Sequence, residues 1–209
     1  MKVLLINGSP HEFGCTYTAL REVADAIESR EIETEIITLG IKPIDSCRGC
    51  GLCHKNQLGA CVFDNDCVND IIDAAADADG FIFGTPVHYA AASGAITAAL
   101  GRCFYAGAAN FAFKPGAAVV SCRRGGASAA FDQINKFFTI NNMPIVSSTY
   151  WNQIHGNTPE EVKQDLEGLH TMKVLGLNMA WMLKCIEAGK SAGIDHPDNL
   201  GKVRTNFIR

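Results

Sequence analysis

The sequence has few charged residues and no excess of positive charge. Charged side chains make up 19% of its 209 residues, with 18 Lys and Arg against 22 Asp and Glu, so the net charge is −4. Apolar residues reach 47%, and this composition excludes a disordered or fibrous chain. The lack of positive charge removes the general attraction for nucleic acid or anionic lipid. We therefore expect neither a nucleic-acid partner nor a membrane partner.

Long apolar segments that would direct the chain to a membrane are also missing. Asn7–Pro10 interrupts the opening apolar run before the core of a signal peptide can form. Residues 80–101 contain no Asp, Glu, Lys or Arg, a length that can span a bilayer. Gly84-Thr85-Pro86 divides them, however, which favours a buried strand, a loop and a helix. We expect a cytoplasmic protein.

Short apolar runs alternate with amphipathic stretches along most of the chain. The predicted strands are Val3–Ile6, Glu35–Leu39, Phe81–Phe83, Ala117–Cys122 and Ile145–Thr149. The predicted helices are Thr18–Ser29, Asp66–Ala76, Ala95–Tyr105, Ala129–Phe138 and a long region from Thr158 to about Gly189. This alternation indicates an α/β fold with a mostly parallel sheet between two layers of helices. Ligands of such sheets bind beyond the carboxyl ends of the strands.

The length of 209 residues suits one domain with an appendage. We predict that the domain spans residues 1–190, with a cysteine-rich insertion at residues 45–67 between the second strand and its helix. Residues 191–209 have the composition of a polar C-terminal tail.

The loop after the first predicted strand combines hydroxyl side chains with glycines just before a helix. Ser9, Thr16 and Thr18 supply the hydroxyls, and the loop has neither the G-x-G-x-x-G of a dinucleotide fold nor the G-K-[ST] of a P-loop. Backbone N–H groups and the helix dipole at such a position favour an anion. The loop therefore suits a terminal monophosphate, and an ordinary capped loop is the alternative.

Cys15 and Arg21 have the spacing of a phosphatase with a cysteine nucleophile. Such an enzyme needs the intervening residues to form a cradle of backbone amides, whereas Tyr17–Leu20 has a helical pattern. Glu22 would also place a negative charge beside a dianionic substrate. We therefore disfavour this alternative.

Five of the nine cysteines lie within Cys47–Cys67. Four of these thiols fall within 15 residues, at Cys47, Cys50, Cys53 and Cys61. Gly49 and Gly51 leave the backbone room to fold around a small object. Four sulfur ligands suit a [4Fe–4S] cluster or tetrahedral zinc, and free or reversibly oxidised thiols are the third possibility. The remaining cysteines in apolar stretches are expected in the core, namely Cys103, Cys122 and Cys185.

Several motifs in the right order resemble one known family. Met1–Ser9 with Gly14-Cys15-Thr16, followed by Gly84–Tyr89, resembles the NADPH-dependent FMN reductase family of flavodoxin-like proteins, and the four spaced cysteines resemble its iron–sulfur flavoprotein branch. The resemblance covers residues 2–155. It implies a flavodoxin-like three-layer sandwich, with a five-stranded parallel sheet in the order 2-1-3-4-5. It also implies bound FMN and a homodimer or tetramer.

The resemblance assigns the FMN phosphate to Ser9, His11, Cys15, Thr16 and Tyr17. The family often has arginine where His11 stands and asparagine where Cys15 stands. Because a fixed positive charge and an amide are lost, we expect this chain to bind the phosphate less tightly than its relatives.

Two further loops are candidates for the flavin ring. Pro86, Val87, His88 and Tyr89 follow the third predicted strand; proline sets the turn, so that the next amides can face the ring. Ser121, Arg123, Arg124 and Gly125 follow the fourth. The arginines can stabilise negative charge on a reduced flavin or bind the phosphate of an incoming nicotinamide nucleotide. An exposed aromatic loop and a surface arginine pair are the alternatives.

The residues and the resemblance together predict an FMN-dependent oxidoreductase. NAD(P)H would deliver hydride to FMN and be replaced by a small-molecule acceptor, with no catalytic side chain required. An iron–sulfur flavoprotein that carries electrons with a ferredoxin-like partner is the alternative, and a thiol-based sensor is a third. We expect a homodimer through Ala91–Arg102, because its small residues let two backbones approach closely.

Overall fold

The computed structural model describes residues 1–198 and 203–208. Its strands are β1 (Lys2–Asn7), β2 (Glu33–Thr38), β3 (Gly80–His88), β4 (Ala91–Ala92), β5 (Gly116–Cys122) and β6 (Gln153–His155). Its helices are α1 (Cys15–Glu28), α2 (Leu52–Lys55), α3 (Val68–Ala76), α4 (Gly94–Ala106), α5 (Ala108–Phe111), α6 (Ala127–Ile140), α7 (Pro159–Val162) and α8 (Leu166–Ser191). Of the predicted tail, residues 199–202 and 209 lie outside this description.

Five parallel strands form the sheet, in the order β2-β1-β3-β5-β6. The two-residue β4 pairs antiparallel with the end of β3 and stands off this path. The resemblance implies the order 2-1-3-4-5, and the five parallel strands have this order. Their numbers differ after β3 only because the hairpin strand β4 is counted in the chain. The carboxyl ends of β1, β3 and β5 are therefore neighbours at one edge of the sheet, where ligands of such folds bind.

The strands are continuous apolar runs because helices cover both faces of the sheet. Leu4 and Phe83 pack with α3, α4 and α6 on one face. Leu5 and Ile82 pack with α1 and α8 on the other. Neighbouring residues of a strand point to opposite faces, so each strand contributes to both cores. The two-sided layering predicted from the sequence is confirmed.

The last parallel strand lies later in the chain than predicted. Ile145 forms only an isolated bridge with Gly116, and the strand proper begins at Gln153, opposite Val120. From Gly116 to Val120 the chain advances four residues, whereas from Ile145 to Gln153 it advances eight. The difference arises because residues 147–151 leave the sheet. Asn152 restores the pairing: its carbonyl accepts a hydrogen bond from Val120 N (2.9 Å), and its side chain donates to the carbonyl of Ala118 (3.0 Å). The predicted strand Ile145–Thr149 is therefore wrong.

The segment predicted as the loop after the third strand is mostly strand. Thr85 and Pro86 pair with β5, and Val87 and His88 pair with β4. Only Tyr89 starts the turn, with a left-handed φ of 58°. The pairing extends so far because the β3–β4 hairpin supplies partners beyond the end of the main sheet.

The C-terminal helical region is divided, and one cysteine on it was misassigned. Asp165 begins α8 by accepting a hydrogen bond from Gly168 N (2.9 Å), which separates α8 from α7. Cys103 and Cys122 are buried as predicted, but Cys185 is exposed. The core stripe of α8, which includes Met179 and Leu183, points to another side of that helix.

The charge-free residues 80–101 fold as β3, β4 and the first half of α4. Within residues 1–198 and 203–208, no helix combines the length and the apolarity that crossing a membrane requires. The predicted insertion at residues 45–67 runs between β2 and α3 and contains only the single turn α2. The bounds of the domain itself stay a prediction.

Candidate functional site

The loop after β1 is held in shape by Asn7, whose side chain is fully buried. Its Oδ1 accepts a hydrogen bond from Ser9 N (3.1 Å), and its Nδ2 donates to the carbonyl of Glu12 (3.2 Å) and to Thr38 Oγ1 (3.3 Å). One side chain thus ties Ser9 and Glu12 of the loop to β2. Sequence reasoning passed over Asn7, although an asparagine at a strand end before glycine was the available signal.

The predicted phosphate residues surround the start of α1. Ser9 Oγ accepts a hydrogen bond from His11 N (3.1 Å), and the buried Thr16 hydroxyl shares a hydrogen bond with Ser121 Oγ (2.8 Å). Tyr17 lies against the ring of Phe13 with centroids 5.1 Å apart. The helix has no acidic residue in its first turn and no capping side chain. Its first N–H groups are therefore available to an anion.

The geometry around Cys15 and Arg21 argues against a phosphatase. Burial raises the pKa of the Cys15 thiol, and the nearby carboxylates Glu161 and Glu160 add to the shift, so the thiolate nucleophile is disfavoured. Arg21 is occupied on the surface of α1, paired with Asp25 (2.7 Å) and Glu28 (2.6 Å). Neither group is arranged to attack or grip a phosphate ester.

The end of β3 and the start of α6 are packed together. Gly126 has a φ of 90°, and a Cβ at this position would lie 2.8 Å from Val87 Cγ1, so only glycine permits the contact. Tyr89, two residues after Val87, is fully exposed. Arg123 and Arg124 are also exposed, and within the described part of the chain neither forms an ion pair.

An open cavity of about 370 Å³ lies at the same edge of the sheet. Its walls are the β1 loop at Gly8 and Pro10, residues 40–44 after β2, His88, and Ser93 with the start of α4. Of the predicted site residues, His88 is the one among these walls. Buried Ser93 braces them, since its Oγ donates to the carbonyl of Gly8 (2.7 Å) and its N–H donates to Thr85 Oγ1 (3.0 Å). Ser93 is the N-cap of α4, a pattern visible in the sequence and not recognised there.

The four spaced cysteines all line a second, smaller cavity of about 20 Å³. Cys53 is buried, Cys61 is half-buried, and Cys47 and Cys50 are exposed. Gly49 and Gly51 adopt left-handed φ values of 65° and 68°, a backbone conformation that favours glycine. Within the described ranges, no three His, Cys, Asp or Glu side chains are close enough to hold a metal ion in this conformation. The donor set suits a cluster or zinc, and the thiols share one cavity without converging on a point.

The other walls of the cysteine cavity are aromatic and cationic. Phe63 and Tyr105 line it, and the Arg48 guanidinium lies over the Phe63 ring at 4.4 Å from the centroid. Arg102 reaches it from α4, with its Nε donating to Cys61 Sγ (3.3 Å) and its guanidinium paired with buried Asp66. Burial acts to lower the pKa of Arg102, but the bonds to Cys61 and Asp66 outweigh it and leave the pKa raised.

Comparison with known proteins identifies the family. The model of the NADPH-dependent FMN reductases matches residues 1–158. The chain belongs to this family. An iron–sulfur flavoprotein of Methanocaldococcus jannaschii is 33% identical over 198 residues, which cover 90% of this chain and 100% of that protein. This member of the FMN reductase family is therefore an FMN-dependent oxidoreductase.

Solved structures show that this FMN reductase family member has a flavodoxin-like fold. A flavone reductase superposes with a TM-score of 0.67 at 18% identity, covering 90% of this chain and 64% of its own. A WrbA-like flavodoxin of Agrobacterium tumefaciens gives a TM-score of 0.62 at 14% identity, covering 88% of this chain and 98% of its own. At identities this low, the two structures support the fold but not a shared activity or ligand.

In this FMN reductase family member, the fold brings some predicted site residues together and leaves others apart. Thr16 and Ser121 meet directly across 105 residues of sequence. His11, Tyr89, Arg123 and Arg124 project into solvent. Buried hydroxyls, free helix N–H groups and exposed arginines are donor types whose chemistry fits the phosphate and ring of FMN.

Proposed function

We propose that this flavoprotein couples its FMN to a [4Fe–4S] cluster bound by Cys47, Cys50, Cys53 and Cys61, and exchanges electrons with a ferredoxin-like partner. The observation that carries the proposal is that these four thiols line one cavity. Thiolate ligands favour iron–sulfur clusters and zinc, and the relative from M. jannaschii is named an iron–sulfur flavoprotein. A cluster passes single electrons, whereas a flavin can take two and release them one at a time.

The FMN phosphate binds at the start of α1 in this proposal. Backbone N–H groups of the first helical turn and the hydroxyls of Ser9 and Thr16 donate hydrogen bonds, while His11 and Tyr17 border the site. The raised pKa of Cys15 supports this role, because a neutral thiol does not repel the phosphate. His11 stands where the family often has arginine, and an imidazole lacks the planar, five-donor guanidinium that binds phosphate, which argues for modest affinity.

Pro86–Tyr89 at the end of β3, and Ser121 with Arg123–Gly125 after β5, would hold the flavin ring. The Val87–Gly126 contact supports this placement, because it brings the two segments within reach of one planar ligand. Exposed Arg123 and Arg124 would supply positive charge to stabilise a reduced ring.

A second candidate function is hydride transfer from NAD(P)H through FMN to a small acceptor. When bound, FMN supplies this chemistry by accepting hydride from the nicotinamide and passing it on. The open cavity of about 370 Å³ beside His88 favours hydride transfer as the function, because it leaves space for a second ligand at the sheet edge. Lys42 on its wall, or the free arginines after β5, would bind the nucleotide phosphates.

Anaerobic purification with FMN, iron and sulfide analysis tests the first proposal. We expect bound FMN and about four iron atoms per chain, with most of the iron lost in Cys53→Ser and retained in Cys185→Ser, which changes an exposed cysteine on α8. Stopped-flow reduction by NADPH, NADH and reduced ferredoxin separates the two functions. Fast reduction by ferredoxin alone supports the electron carrier, and fast reduction by NAD(P)H without iron supports the reductase. A protein that takes up no FMN would refute both.

We also propose a homodimer or tetramer in the cytoplasm. The exposed and half-buried residues of β4 and early α4 are small, which supports close approach of a second copy. Arg102, at the end of the segment predicted as the interface, is only 2% exposed and faces the cysteine cavity instead. All nine cysteines are free, as suits a reducing compartment.

A further inference from the structure

Arg102 is a buried cation that the proposed function does not yet use. Its side chain is 1% exposed, and that of its partner Asp66 is 2% exposed. Burying an arginine is strongly unfavourable unless its donors are matched by good acceptors. The position of its acceptors therefore indicates what the residue does.

Within residues 1–198 and 203–208, every acceptor of the Arg102 guanidinium lies in the cysteine-rich segment, residues 45–67. Nε donates to Cys61 Sγ (3.3 Å), and Nη2 donates to the carbonyl of Phe63 (2.6 Å). Nη1 donates to the carbonyl of Asp45 (3.3 Å) and to the Asp66 carboxylate. Asp45 precedes the first cysteine of the motif, and Phe63 follows the last. One side chain thus gathers both ends of the segment.

The segment needs such an anchor because it has little regular structure of its own. Its single helical turn is α2, and most of its residues are exposed. Arg102, in contrast, extends from α4, whose neighbouring residues Leu100, Cys103 and Phe104 pack in the core. The guanidinium therefore anchors the loop that carries the thiols to a helix of the core.

We propose that Arg102 is the positioning residue of the cysteine site: it fixes Cys61 and both ends of the segment to α4, and its Nε–H···Sγ bond raises the reduction potential of a cluster held there. The inference rests on the proposed cluster. A hydrogen bond to a ligating sulfur stabilises the negative charge that reduction adds. Lysine cannot replace it, because one ammonium group cannot span four acceptors as a planar guanidinium does.

Arg102→Lys tests this with the positive charge retained, and Arg21→Lys is the matched control on the surface of α1. After anaerobic reconstitution with iron and sulfide, EPR-monitored redox titration measures the midpoint potential and a chelator measures iron release. We expect Arg102→Lys to have a more negative potential and about tenfold faster iron release, and Arg21→Lys to match the wild type. A cluster in Arg102→Lys with the wild-type potential overturns the inference alone. Wild-type protein that takes up no iron overturns the cluster and the inference together.

A measurement that keeps Arg102 covers the case in which Arg102→Lys does not fold. Of the described residues that line the cavity, the arginines are Arg48 and Arg102. Pulsed EPR on the reduced cluster of Arg48→Lys, grown with ¹⁵N-arginine, should show a ¹⁵N coupling from Arg102. Absence of that coupling means that no guanidinium contacts the cluster sulfur, which overturns the proposal.

Discussion

Asn7, Thr16 and Ser93 are buried polar side chains at the edge of the sheet where the strands end. Their exposed fractions are 0%, 1% and 1%, and each is hydrogen-bonded to a neighbouring strand or loop. A buried polar group left without a partner costs free energy. These side chains therefore hold the loops in one arrangement before a ligand arrives.

Thr16→Val keeps the shape of the side chain but removes the hydroxyl that pairs with Ser121. We expect the free energy of unfolding to fall by about 1 kcal/mol and the FMN dissociation constant to rise about three- to tenfold. Denaturant unfolding and FMN fluorescence titration measure the two effects. Thr139→Val, which removes an exposed hydroxyl on α6, should change neither. Wild-type FMN affinity in Thr16→Val would remove Thr16 from the proposed phosphate site.

Cys103 links stability to alkaline pH, because burial raises its thiol pKa far above the ordinary value. Above the unfolded pKa of about 8.5 the unfolded chain releases this proton while the folded protein keeps it. The contribution to stability is thus complete below that pH and declines as the pH rises towards the folded pKa, by up to about 1.4 kcal/mol per pH unit.

Urea unfolding between pH 7 and pH 10 measures this decline. We expect Cys103→Ala to show a shallower loss of stability above about pH 8.5 than the wild type, whatever its absolute stability. Cys185→Ala, at an exposed thiol, should keep the wild-type slope. Identical slopes in all three proteins would contradict the burial argument.

At the scale of elements, α1 and α8 meet through a glycine. A Cβ on Gly176 would lie 2.5 Å from the carbonyl oxygen of Val23 and 2.7 Å from Ala26 Cβ. Both distances are too short for any side chain, and backbone cannot yield as a flexible side chain does. The absence of a side chain at Gly176 therefore sets how closely the two helices pack.

Gly176→Ala should lower the free energy of unfolding by about 1–3 kcal/mol through overpacking. Gly189→Ala is the matched control on the same helix, because its Cβ would meet no atom closer than 3.9 Å. Alanine there should be neutral or raise stability by up to about 1 kcal/mol. Denaturant unfolding compares the two variants, and equal effects would mean that the α1–α8 contact tolerates a wider separation.

The edge strand β6 shows where the prediction of secondary structure from the sequence fails. The runs that became β1 and β5 are buried on both faces and stand out as unbroken apolar segments. Ile145–Thr149 has the same β-branched character, yet only Ile145 touches the sheet in register. Asn152, a polar residue outside any apolar run, decides where pairing resumes. Hydrogen bonds of one side chain to the backbone of another strand leave no periodic signal.

For the whole molecule, the proposed self-association involves the face that carries β4 and the start of α4. Gly94, Ala95 and Ala98 leave little side chain between this backbone and a neighbour. We expect the wild type to sediment as a dimer or tetramer at micromolar concentration, and Ala98→Arg to shift it towards monomer because a long charged side chain blocks close approach.

Ala109→Arg is the control for that experiment, because Ala109 is exposed on α5, outside the proposed interface. It should sediment as the wild type does. A monomeric wild-type protein, or dissociation of both variants alike, would remove this interface from consideration.

The sequence alone determined the class of fold and pointed to the family, because buried strands, amphipathic helices and short motifs are local patterns. The order of the parallel strands came only from the resemblance to that family. The sequence also showed that four thiols belong together, since they lie close along the chain. Only the tertiary structure decided which distant groups meet: Thr16 with Ser121, and Arg102 with Cys61 and Asp66. The packing of helices and strands determines these partners. A hydrogen bond between residues far apart in the sequence produces no local pattern around either residue.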